Sequence, residues 1–103
     1  MKNVRNLVLS MATVFVMIHP VVAQPNTAGK VVSLYADPND FVIELDTRGR
    51  CGSAFFQVPR SNANFKELTA VALTAFSTGK TMTLYVSSCN ADRNILSHGA
   101  VHR

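Results

Sequence analysis

Cys51 and Cys89 are the only cysteines of the 103-residue chain, and what they can do depends on where the chain goes. At 38 positions apart they form neither a C-x-x-C redox site nor a clustered metal site. In an oxidising compartment they pair, and closing a loop of that length adds roughly 4 kcal/mol in the chain-entropy model. His98 and His102 are four apart, a ligand spacing on a helix, but the surrounding residues read as a strand. There i and i+4 share a face roughly 13 Å apart, too far for one ion. Glu44 and Asp46 also share a strand face, and the solvated outside of a hairpin accounts for them better than a carboxylate pair does. Ser, His and Asp all occur, yet there is no G-x-S-x-G elbow and no nucleophile set beside a base and its orienter. The expectation is a protein that is not an enzyme and takes no metal or cofactor.

Four residues suit binding. Tyr35 and Tyr85 fall on the polar faces of their strands, where a hydroxylated ring can stack on a sugar or a partner; cross-strand packing is the plainer explanation. Arg48 and Arg50 sit in a turn and suit an anionic ligand such as a sialic acid carboxylate. Solubility accounts for them equally well.

Periodicity supplies the elements that must position these residues. Lys2 and Arg5, an apolar run from Leu7 to Ile18, His19-Pro20 and then Val21-Val22-Ala23 have the order of a cleavable signal peptide over residues 1–23. The apolar run is shorter than the roughly 20 residues a membrane span needs, so no membrane insertion is expected after cleavage. One domain, 24–103, remains, exported to the periplasm or the extracellular space, with eight basic residues against six acidic. Its scattered charges lack the clustered basic footprint of a nucleic-acid binder, so nucleic acid is not an expected partner.

Alternation predicts strands over 30–36 (Val32 and Leu34 inward), 41–46 and 53–58, joined by turns at Asp37-Pro38-Asn39-Asp40 and around Gly49. A helix is predicted over 64–78, with Asn64 as N-cap and Glu67 completing a capping box. Its inward stripe would be Phe65, Leu68, Ala72, Ala75 and Phe76, flanked by Leu73, and Gly79 would end it. Ala70, Val71, Thr74, Ser77 and Thr78 make a small, uncharged outer face that could pack on a second copy. Strands over 80–87 and 94–102 follow, the last weakened by Gly99. The order β-β-β-α-β-β gives an α+β, mostly β chain. Its expected form is a small five-stranded OB-like barrel or curled sheet with one helix, since closure removes edges. A flat sheet with the helix across one face is the rival.

The segment Phe65-Lys66-Glu67-Leu68 through Thr78-Gly79-Lys80-Thr81 to Leu84-Tyr85-Val86 resembles the helix, Thr-Gly turn and following strand in B subunits of subtilase cytotoxin and typhoid toxin type. It is also similar to a broader group of short exported bacterial proteins. In these a cysteine before the third strand and another after the fourth accompany that core. The resemblance implies a ring of small barrels that binds cell-surface glycans beneath a separate catalytic subunit. This chain is shorter, has a single cysteine pair and lacks tryptophan, and none of the toxins' glycan-contacting residues has a match in it. The expected function is a non-catalytic binding subunit with a glycan or protein partner and self-association. The alternative is a monomeric periplasmic or secreted protein that inhibits or stabilises a partner protein.

Overall fold

The computed structural model describes residues 26–103; the expected signal peptide lies outside the described residues. Five strands and one helix follow in the expected order: β1 (Asn26–Ala36), β2 (Asp40–Leu45), β3 (Phe55–Pro59), α1 (Phe65–Thr78), β4 (Thr81–Asn90) and β5 (Arg93–His102). The sheet closes on itself in the order β1-β2-β3-β5-β4. This is the curled, OB-like alternative, and the flat rival is excluded.

Closure depends on β1 changing partners along its length. Asn26 to Lys30 pair with Tyr85 to Thr81 of β4, and Val31 to Ala36 then pair with β2. The strand therefore starts four residues before the predicted Lys30, because its first half has β4 to bond to. A bulge lies between Val31 and Ser33 at the changeover, and an extra residue there shifts the parity of the side chains. Val31 and Leu34 pack on the core, while Val32 is 49% exposed. The prediction of Val32 as inward is thereby corrected. The last seam is short and parallel, Phe56 beside Asn94 and Gln57 beside Ile95. Past it, Asn62 and Asn64 donate side-chain N–H groups to the carbonyls of Leu96 and Ser97, 3.0 Å each, so two amides replace the missing ladder bonds.

That use of Asn64 corrects the predicted capping box. Its side chain caps no helical N–H, because the open seam of β5 takes its amide. The C-terminal signal holds: Gly79 is left-handed (φ 70°, ψ 22°) and donates to Ala75 O at 2.9 Å. The helix carries no basic residue in its last turn, and Lys30 Nζ of β1 reaches Gly79 O at 2.8 Å instead, placing a cation at the negative end of the dipole.

Inside the barrel Ile43, Leu45, Phe56, Val58, Met82, Leu84, Val86 and Leu96 form one core with Leu68, Ala72 and Ala75 of α1. The helix packs chiefly on β1 and β5. Its buried stripe is narrower than periodicity implied: Phe76 is 48% and Leu73 53% exposed, and Val71 turns toward the core. A helix plugging a small barrel meets sheet only along its centre line, so residues on the flanks of the stripe stay wet. Gly99 makes the close approach feasible. A Cβ there would lie 2.8 Å from Leu84 Cδ2, 3.1 Å from Leu68 Cδ1 and 3.1 Å from Thr83 O. Gly99→Ala is expected to destabilise by about 1–3 kcal/mol through overpacking, read as a lower urea midpoint. An unchanged midpoint would show that the helix has room to move.

Candidate functional site

Strand parity sorts the outer surface. Register sets Tyr35 opposite Val42, Val42 opposite Gln57, and Glu44 opposite both Ser33 and Phe55. Arg93 precedes the inward Asn94 and so points out beside Phe55. The rings of Tyr35 and Phe55 meet edge-on at 6.4 Å, and the Arg93 guanidinium lies 5.2 Å from the Phe55 centroid. Such a contact contributes about 0.5–1 kcal/mol where exposed. Between Tyr35 and Gln57, Val42 is fully buried although its parity points outward, so the face is a second thin apolar layer outside the barrel. Ser33 Oγ donates to Glu44 Oε1 at 2.8 Å and Gln57 Nε2 to Asp40 Oδ2 at 2.7 Å, holding the polar members of the face in fixed positions.

Tyr85 lies elsewhere, on the outside of β4, stacked on His98 with centroids 4.2 Å apart and planes 10° from parallel. Ser97 Oγ is 2.8 Å from His98 Nδ1, and His102 Nε2 is 3.0 Å from Thr83 Oγ1, so the two histidines have separate neighbours. The tyrosines therefore belong to different faces, Tyr35 with β2 and β3, Tyr85 with β5.

Arg48 and Arg50 stand in the loop between β2 and β3. Arg48 Nη1 donates to Gly52 O at 2.9 Å, which commits it to the loop's own backbone, and Arg50 is exposed. Asp46 Oδ1 accepts from Lys30 N at 3.0 Å, so Asp46 and Glu44 serve different partners. The predicted disulfide is formed: Cys51 and Cys89 are bonded, with Cα atoms 5.5 Å apart, tying this loop to β4.

The second anchor of the loop is Asn94, the one buried polar residue among the described residues. Its Oδ1 accepts from Cys51 N, and its Nδ2 donates to Ser53 O and Phe55 O, all at 2.9 Å. Gly49 lets the loop lie against it, since a Cβ there would be 2.5 Å from Asn94 Oδ1. Sequence reasoning missed Asn94, Phe55, Gln57 and Arg93. Adjacent Phe55 and Phe56 carried a usable signal, because one of two neighbouring strand residues must face outward.

No enclosed pocket opens among the described residues, and no three His, Cys, Asp or Glu side chains there are grouped to hold a metal. No helix among them is long and apolar enough to cross a membrane. No family model, curated protein or solved structure matches the chain. The site therefore rests on geometry alone: an aromatic row, Tyr35–Phe55–Arg93, on the outside of a closed barrel.

Proposed function

We propose that this chain is an exported, non-catalytic binding module that meets its partner through the Tyr35–Phe55–Arg93 row. The observation that carries this reading is the row itself: a half-exposed tyrosine, a second ring and a guanidinium in contact on one rigid sheet face. Rings on a strand scaffold cost little entropy to present and stack on a sugar or a side chain, and Arg93 adds a fork for a carboxylate. The OB-like barrel supports the placement, because such barrels bind oligosaccharides and oligonucleotides over the β2–β3 face. Export is supported by the disulfide and by the order of residues 1–23. The sequence resemblance to toxin B subunits makes a cell-surface glycan the first ligand class to test.

Self-association belongs to the same proposal. From Thr69 to Gly79 the helix has no charged residue. Thr69, Thr74, Ser77 and Thr78 donate their hydroxyls to the helix's own carbonyls, so this surface needs little water beside Leu73 and Phe76. The second reading, a monomer that inhibits or stabilises a partner protein, draws on the same face with a different occupant.

Light scattering after size exclusion separates the two, a closed ring supporting the first and a strict monomer the second. A glycan array on the same protein tests the ligand. Tyr35→Ala is expected to lower the array signal about 5-fold or more while leaving the fold intact, since removing one stacking ring is worth about 1–3 kcal/mol. Silence of the unaltered protein across sialylated and neutral glycans would reject the glycan reading.

A further inference from the structure

The turn between β1 and β2 holds two carboxyl groups in unlike surroundings. Asp37 Oδ1 accepts from the backbone N–H groups of Asn39 at 2.9 Å and Asp40 at 2.8 Å, and Asp37 N donates to Asp40 O at 2.9 Å. Asp40 Oδ2 accepts from Gln57 Nε2, but Asp40 Oδ1 is buried with no partner. A buried carboxylate oxygen without a donor is costly, and the cost disappears if that oxygen carries a proton and donates it.

We propose that Asp37 and Asp40 share one proton across the β1–β2 turn, so that taking it up tightens the turn and losing it loosens the turn. In the tight state Asp40 Oδ1–H donates to the Asp37 carboxylate, whose other oxygen keeps its two backbone bonds; the proton comes from solvent and returns there. Burial, followed by the Asp37 carboxylate, raises Asp40 above the ordinary 3.8. The backbone N–H groups of Asp40 and Asn39 lower Asp37 below the same value. Facing the pair are Arg60, which follows β3, and Arg93 of β5; both favour the charged form of Asp40 and oppose the shift without reversing it.

The signs define a window. Asp40, raised, contributes stability that is present below its unfolded value and lost as pH rises through its folded one. Asp37, lowered, contributes stability that is present above its unfolded value and lost as pH falls through its folded one. Between the two folded values, on either side of 3.8, the pair holds a single proton and the turn is tightest. Above both folded values both groups are ionised and Asp40 Oδ1 is again unpartnered. Gln57, which bonds Asp40, stands beside Val42 and so next to Tyr35, which couples the turn to the aromatic face. The inference does not depend on that face binding anything.

Carbon-detected NMR of the purified protein, labelled at the aspartate carboxyls and titrated through acid, reads each group directly. The expected result is Asp40 titrating above 3.8 and Asp37 below it, each curve carrying an inflection from the other. In Asp37→Asn the Asp40 midpoint should fall toward 3.8. In Asp40→Asn, which leaves the Asp37 turn bonds in place, Asp37 should titrate in one step, and the Asn39 amide shift should lose its upper transition. Asp40 titrating at or below 3.8 in the unaltered protein, or a midpoint indifferent to Asp37→Asn, would overturn the proposal.

Discussion

Asn94→Ala is expected to destabilise the protein by about 3 kcal/mol or more, the largest effect of any single polar side chain in the described domain. Each of its three hydrogen bonds contributes about 1 kcal/mol net, and deleting the amide also leaves the Cys51 N–H without its acceptor beside a cavity, while Ser53 O keeps Gly49 N and Phe55 O keeps Ser53 Oγ. In a domain of this size a loss of about 3 kcal/mol lowers Tm by more than roughly 10 °C. The urea midpoint should fall with its slope unchanged, because the variant alters the native state alone. Asn94→Asp keeps the shape and the acceptor for Cys51 N–H, but it turns a donor toward Ser53 O and Phe55 O into an acceptor. It should be no better than alanine. A loss below about 1 kcal/mol for Asn94→Ala would mean that water replaces the side chain and that the loop is held by other means.

Removing the disulfide is the second large effect and carries a different signature. Cys51→Ala with Cys89→Ala should cost roughly 4 kcal/mol on the chain-entropy estimate. For a domain whose total stability is in the usual range of about 5–15 kcal/mol, that leaves a marginal fold. The cross-link acts mainly on the unfolded chain, which expands once the 38-residue loop is opened. The denaturant slope should therefore rise while the midpoint falls. A variant pair whose midpoint and slope both match the parent would show that the cystine merely decorates a loop already fixed by Asn94.

These two anchors differ in how readable they were. A pair of cysteines in a chain expected to be exported announces itself by chemistry, with no need of the fold. Asn94 reads as an ordinary polar strand residue until closure brings the β2–β3 loop over it, and only then do three backbone groups converge on its amide. The helix and the strands β2 and β4 were legible because period and burial agree there: Ile43, Leu45, Met82, Leu84 and Val86 are inward as their alternation implies. β1 was misread because its bulge changes parity in mid-strand and its two halves serve different neighbours. Phe76 was misread because periodicity reports which side of a helix is apolar and not how wide a surface that side meets. Tyr35 was singled out with Tyr85 as an outward ring, with cross-strand packing the plainer explanation. Its company of Phe55 and Arg93 comes from strands 20 and 58 residues further along, whose order around the barrel no local pattern encodes.

The narrow stripe of α1 and the outward row on β1, β2, β3 and β5 follow from one geometric fact. Once the sheet closes, each strand has a single inside, and the apolar residues in excess of that inside must go to the mouth or the outer wall. Leu73 and Phe76 stand at the mouth, while Val42, Tyr35 and Phe55 stand on the wall.

Barrel closure is thus the claim on which every assignment of faces depends, and nuclear Overhauser contacts across the two long-range seams test it most directly. One folded species should show backbone contacts joining Phe56 to Asn94 and Gln57 to Ile95, together with contacts joining Asn26–Lys30 to Thr81–Tyr85. A spectrum in which β1 pairs with β2 along its whole length, with either seam silent, would contradict closure and dissolve the Tyr35–Phe55–Arg93 row with it.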